Sequence, residues 1–149
     1  MQPTIKKLNK SDLSHFQQLI QLFNEVFENE NSPIASESHL STLLEKNEFI
    51  VFAAFVNNEI AGGITAYELP SYSSDQSEVY VYDIAVKSQF QRKGFGQKML
   101  QALKQHCAEN NITLLFVEAH EKDKHAVDFY RKAGGQAEKV VHFNFTATA

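Results

Sequence analysis

The order of hydrophobic patterns predicts an α/β (α+β) fold, a single domain over residues 1–149 with a mixed central β-sheet flanked by helices on both faces. Three observations carry this. Apolar runs at about 49–56 and 59–68 are separated only by Asn57-Asn58, and asparagine tolerates the positive φ of a tight hairpin turn. The long alternating run at about 77–86 leads through a short glycine-containing turn into a helical pattern and then a further strand, the sign of a parallel βαβ unit. Helical stripes occur both before and after the strands, so each face of the sheet can receive one.

The elements follow in order. Thr4 to Leu8 reads as a first strand. Ser11 can cap a helix whose Phe16, Leu19, Ile20, Phe23, Val26 and Phe27 recur at three- and four-residue steps. Glu28-Asn29-Glu30-Asn31-Ser32-Pro33 breaks it, and a short helix bearing Leu40, Leu43 and Leu44 follows. After the hairpin, residues 69–76 form a turn-rich loop before the long strand. A helix at about 95–109 carries Met99, Leu100, Leu103 and Cys107 on one face; a strand is expected from Thr113 to Ala119. A helix at about 124–133 stops at Gly134-Gly135, a C-cap pattern, and Val140 to Phe145 is expected to close the sheet.

Composition narrows the function classes. A chain of 149 residues with 43% hydrophobic content can bury a core without staples. The longest apolar run, Phe49 to Val56, is too short to span a bilayer, and no apolar signal region follows Met1, so a cytoplasmic protein is expected. The net charge of −4 argues against nucleic acid or anionic membrane as partner and suits a small cationic one. The lone Cys107 cannot form an internal disulfide and reads as packing; the six histidines lack ligand spacing, so no metal is expected.

The chemistry-bearing stretch is Gln91-Arg92-Lys93-Gly94-Phe95-Gly96, between the long strand and its helix. Glycine allows close backbone approach, and first-turn amides lack intrahelical partners, so the turn can hold a phosphate. Taken alone it also fits an ordinary strand-to-helix connection with solvated Arg92 and Lys93. The spacing is not that of a dinucleotide fingerprint or a Walker loop. A tyrosine-bearing helix, Ala126-Val127-Asp128-Phe129-Tyr130-Arg131-Lys132-Ala133-Gly134-Gly135, comes later.

These two motifs, in this order, resemble the GNAT superfamily of acetyl-CoA-dependent N-acetyltransferases. Phe49 to Phe55, Ala66 to Pro70, Ser77 to Val86 and His142-Phe143 are similar to the type I aminoglycoside 3-N-acetyltransferases. The resemblance implies fourth and fifth strands that splay apart around acetyl-CoA. It places the pyrophosphate on the amides of Arg92, Lys93, Gly94, Phe95, Gly96 and Gln97, with Gln91 in the same motif. The pantetheine then lies along Ile84, Ala85 and Val86, and the Ile84 N–H faces the thioester oxygen. An oriented donor there is worth about 3–4 kcal/mol at an acyl-transfer transition state. Lys87, Lys93 and Lys98 could meet the 3′-phosphate or remain solvated.

The resemblance makes Tyr130 the general acid and a cofactor-side residue; packing of Phe129 and Tyr130 against the sheet is the alternative. For the base, strand alternation sets Glu78, Tyr80 and Tyr82 on one face and Val79, Val81 and Asp83 on the other. A carboxylate in that apolar row is costly unless paired or functional, which makes Asp83 the expected base or amine-orienting group, with a hydrogen-bonded structural role as the alternative and Glu118 the second candidate base. An acceptor carrying several ammonium groups calls for carboxylates at its entrance. Glu28, Glu30, Glu78, Asp83, Glu118 and Asp123, with Glu25 and Glu121, are the candidates, each of which also fits a solvated surface charge, and His120 reads as a surface or substrate-rim group. Lys122, Lys124 and the histidines between 120 and 125 dilute the acidity expected there. The implied reaction is acetyl transfer to an aminoglycoside amine by direct attack in a ternary complex, with other amines or a non-catalytic acetyl-CoA-binding module as alternatives. The family and the β-rich tail are compatible with a homodimer.

Overall fold

A computed structural model describes residues 1–148, which divide into two compact units, Met1–Glu118 and the remainder from Ala119. The first holds β1 (Thr4–Lys7), α1 (Leu13–Val26), α2 (Glu37–Glu45), β2 (Phe49–Val56), β3 (Glu59–Pro70), β4 (Ser77–Val86), α3 (Phe95–Glu109) and β5 (Ile112–Val117). Its five strands lie in sequence order; all neighbours are antiparallel except β4 and β5, so the sheet is mixed as expected. Asn57 and Asn58 both take positive φ, 51° and 66°, and turn the β2–β3 hairpin.

The start of α1 differs from the expectation. Ser11 does not cap it: Asn9 accepts from the Ser11 N–H, and Asp12 accepts from the Asn9 N–H, a reciprocal box around a single 3-10 turn at Lys10–Asp12 that runs into α1. Asp12 is nearly buried and also takes a 2.9 Å bond from Lys6 Nζ, which ties β1 to the helix start.

Helices cover both faces. Phe16, Leu19 and Phe23 of α1 and Leu40 and Leu44 of α2 pack on Phe49, Val51, Ala53 and Ala85. α3 packs against the opposite face, where Met99 and Leu103 are fully buried. Gly63 is required by the first contact: a Cβ there would collide with the Leu19 side chain. Cys107 is buried, as its helix face predicted.

Two irregularities of β4 shape its far end. Pairing with β5 runs from Ser77↔Ile112 to Val81↔Val117 and stops, while β4 continues beside β3 to Val86. The fourth and fifth strands therefore part after Val81. Against β3, Val81 pairs with Ala66 and Asp83 with Thr65, so Tyr82 is an extra residue in a bulge. That overturns simple alternation: Asp83 is shifted out of the Val79 and Val81 row and onto the face of Tyr80 and Tyr67.

In the second unit α4 (Lys124–Lys132) is capped by Asp123, whose Oδ1 accepts from the Ala126 N–H at 3.2 Å. Gly134, at φ 99°, ends it, as the glycine pair implied. The expected sixth strand at Val140 to Phe145 is absent. These residues take no regular secondary structure, with Val140, Val141, Phe143 and Phe145 67–89% exposed. Their alternation supplies strand propensity, but a strand needs a neighbour to hydrogen-bond, and among the described residues none pairs with them. Among the described residues no helix is long and apolar enough to cross a membrane.

Candidate active site

The turn after β4 is braced from three directions. Gln91 Nε2 donates to the Val86 carbonyl at 2.9 Å, fastening the loop to the strand end. Phe90 stacks on Phe95 with ring centroids 5.4 Å apart, and Phe95 is buried at the start of α3. Lys93 Nζ lies 5.9 Å from the Phe90 ring centroid. Between these anchors Arg92 and Gly94 adopt left-handed backbone, φ 59° and 84°. Gly94 is the N-cap of α3 and offers no side-chain cap; the first helical bond runs from the Lys98 N–H to the Gly94 carbonyl. The amides of Phe95, Gly96 and Gln97 are left without helical partners, no acidic residue lies in that turn, and the space beside the Gly94 Cα is open. Such a cradle fits a pyrophosphate.

The parted strands continue it. Lys87 donates its N–H to the Ala61 carbonyl on β3, so alternation commits Ala85 to β3 as well and turns the amides of Val86 and Ile84 toward the side that β5 vacates. Of the three residues expected along a pantetheine arm, Ile84 and Val86 thus present backbone groups there, whereas Ala85 is occupied by the sheet and its side chain by the core. The residues present fit an extended, amide-bearing ligand that ends in phosphates.

On the same unit a cleft of about 400 Å³ opens between the end of α1 and the loop after β4, with Glu25 and Glu28 facing Lys87, Ser88 and Gln91. Glu28 holds φ 59° at the end of the helix. Glu30 lies further along, lining a shallower depression with its neighbours up to Pro33.

The β4 bulge gathers a second set of groups. The Tyr82 ring is 5.7 Å from Tyr67 and 6.2 Å from Tyr80, both edge-on, and Tyr80 stacks on Phe116 at 5.0 Å. Tyr80 Oη donates to Glu118 Oε1 at 2.8 Å. Burial, the Glu118 hydrogen bond and its charge push the Tyr80 phenol up to about 12, so it stays a donor across the physiological range. Asp83 is half-buried, and burial raises its carboxyl above the ordinary 3.8. Burial, then the neighbouring Tyr82 and Asp83, raises Tyr67 too. The structure thus brings Asp83 and Glu118 to one aromatic-walled face, where an ammonium could be held by carboxylates and ring faces.

The remaining candidates are dispersed. Glu78 is exposed on β4, paired with Leu69 and Leu114. Asp123 is engaged as the α4 cap, and His120 and Glu121 are exposed. Tyr130 is half-exposed on α4, edge-on to Phe129 at 5.3 Å. Tyr67 and Tyr80 were missed as site residues. The signal was there in tyrosines at alternate strand positions, but without the bulge nothing associated them with Asp83.

A helix opened by a left-handed glycine beside two parted strands suits a long phosphate-bearing ligand. The chain belongs to the acetyltransferase (GNAT) family, whose profile matches residues 16–135. Among solved structures it is similar to the aminoglycoside acetyltransferase meta-AAC0020 from an uncultured soil metagenomic sample, solved with trehalose and with sisomicin. The two share 41% identity at a TM-score of 0.95, over 98% of this chain and 97% of that one. It is also similar to HMB0005, another soil metagenomic aminoglycoside acetyltransferase, at 29% identity and a TM-score of 0.95 over 99% and 100% of the two chains. A spermine/spermidine N(1)-acetyltransferase of Bacillus subtilis is 33% identical over 86 residues, 55% of this chain and 57% of that protein.

Proposed function

We propose that this chain transfers the acetyl group of acetyl-CoA to a primary amine of an aminoglycoside, at the 3-amino group of the deoxystreptamine ring, by direct attack in a ternary complex. The observation that supports the reading is the near-complete match to an aminoglycoside acetyltransferase solved with sisomicin. The cluster of Asp83, Glu118 and tyrosine rings suits a polycationic, hydroxyl-rich acceptor.

When bound, acetyl-CoA supplies an acetyl group activated as a thioester. The amides of Phe95, Gly96 and Gln97 would hold its pyrophosphate, and the Ile84 N–H would be the donor available to polarise the thioester carbonyl. Asp83 accepts the proton that the acceptor ammonium must lose before its nitrogen has a lone pair; its raised pKa makes it a better acceptor than a solvated aspartate. Glu118, with one oxygen occupied by Tyr80, holds a charged amine of the acceptor. Tyr130 would be the proton source for the sulfur that leaves as coenzyme A thiol. With a phenol near 10 and a thiol near 8.5, that transfer is modestly uphill and short-range. Glu28 and Glu30, beyond the end of α1, would meet further ammonium groups of the acceptor. The protein is a cytoplasmic resistance enzyme in this reading.

The test is thiol release from acetyl-CoA with gentamicin or sisomicin, run beside spermidine and a short peptide, and NMR of the product to locate the acetyl group. Saturable turnover with the aminoglycosides and acetylation at the 3-amino group is expected. The B. subtilis relative favours a second reading in which a polyamine is the acceptor. Turnover with spermidine alone would select it, and no turnover with any amine would leave a binding module.

A further inference from the structure

Glu118 would be a poor grip if left to itself. It is exposed and directly follows β5, where the pairing with β4 has just ended. A glutamate in such a place turns about several torsions, and ordering it for each ligand costs binding free energy. The bond from Tyr80 removes that freedom. Tyr80 pairs with Phe116 across β4 and β5, and Glu118 is the next residue after Phe116 on the same side of the strand, so all three side chains share one face of the sheet.

The tether is itself held. The Tyr80 ring lies on Phe116 with 20° between their planes and meets Tyr82 edge-on at 80°. From that fixed ring the hydroxyl donates to Glu118 Oε1 at 2.8 Å. A neutral phenol orients a carboxylate and leaves its charge intact, whereas a lysine or arginine in its place would cancel the charge. Among the described residues both ion pairs fall on Asp12, and none reaches Glu118. The charges of Glu118 and of Asp83 both act on the Tyr80 phenol, so the two carboxylates lie within electrostatic reach of one ring.

We propose, resting on the reading of the acceptor as an aminoglycoside, that Tyr80 is the positioning residue that selects which of its amines is acetylated. By fixing Glu118 relative to Asp83, the phenol sets the spacing of a two-point grip. One ammonium group is held at Glu118, and the amine that then falls at Asp83 is the one that loses its proton and reacts. A rigid ring frame offers few pairs of amines at any one spacing, so a fixed pair of carboxylates admits one of them and a loose pair admits several. Tyr80 touches no reacting atom and acts through Glu118 alone.

Steady-state kinetics with gentamicin, and NMR of the products, test it on the parent, Tyr80→Phe, Glu118→Ala and the double variant. Tyr80→Phe keeps the ring and its stack and removes the hydroxyl alone, so it should melt within about 4 °C of the parent. Its KM for gentamicin should rise about tenfold, and its calorimetric affinity should fall with it, while kcat and the KM for acetyl-CoA change less than about threefold. Product acetylated at a second amine should appear, which a merely structural role for the ring would not produce. In the Glu118→Ala background the same substitution should add less than about twofold, because nothing is left to position. A Tyr80→Phe enzyme with the KM and single product of the parent, or an equal loss in both backgrounds, would overturn the proposal and leave the aminoglycoside reading standing on the activity of the parent. A parent inactive with gentamicin would overturn the two together, so the parent alone tells the failures apart.

Discussion

At the scale of single residues the two half-buried or buried aspartates pull stability in opposite directions. Burial raises Asp83 above 3.8, so folding favours its protonated form. That contribution is complete below the unfolded pKa and is lost as pH rises through the folded one. Asp83→Asn should therefore melt higher than the parent at pH 7, and the gap should close as the pH falls toward about 4. The same substitution should cut turnover roughly 10²–10⁴-fold with little change in acetyl-CoA affinity. A variant that loses stability and cofactor binding together would mark Asp83 as structural. Burial alone would raise Asp12 too, but the Lys6 and Asn9 hydrogen bonds and nearby positive charge bring it below 3.8. Its stabilisation is present above that value and fades as pH falls through the folded one. Asp12→Ala should cost about 1–2 kcal/mol at pH 7 by urea denaturation, the loss of a cap and of a buried acceptor.

At the scale of elements, glycine explains two contacts that apolar periodicity cannot express. Gly63 lets α1 lie flush on β3; Gly63→Ala should drive a methyl into Leu19 and cost about 1–3 kcal/mol, read by thermal melting. Gly94 has open space but positive φ, so Gly94→Ala is tolerated sterically and strained in the backbone, by about 1–2 kcal/mol. Calorimetry should find acetyl-CoA binding weakened in the Gly94 variant and nearly unchanged in the Gly63 one. Most elements were legible in the sequence because their signals are local: the Asn57-Asn58 turn, the stripes of α1 and α3, and the glycines that end α4. What was illegible depends on a neighbouring strand. Asp83 changed faces because β3 fixes the bulge at Tyr82, and Val140 to Phe145 has the right alternation but pairs with no strand among the described residues. For the same reason the Tyr80–Glu118 bond, which spans two strands, could not be read from either.

For the whole molecule, ligand and fold should be coupled. Acetyl-CoA at a hundred times its dissociation constant would add about 2.7 kcal/mol to the folded state and raise the melting temperature by about 5–10 °C. Scanning fluorimetry checks it, and an unshifted curve would mean that the cradle at the start of α3 is not a cofactor grip. The bulge at Tyr82 has a consequence of another kind. A strand's two faces are a matter of parity, and one extra residue acts on it as a frameshift acts on a gene. Before Tyr82, odd-numbered positions of β4 face α3; after it, odd-numbered positions face α1. Core and chemistry on this strand are thus written in different phases. Removing Tyr82 would restore uniform pairing and turn either the Val79 and Val81 row or the Asp83 and Ala85 row inside out.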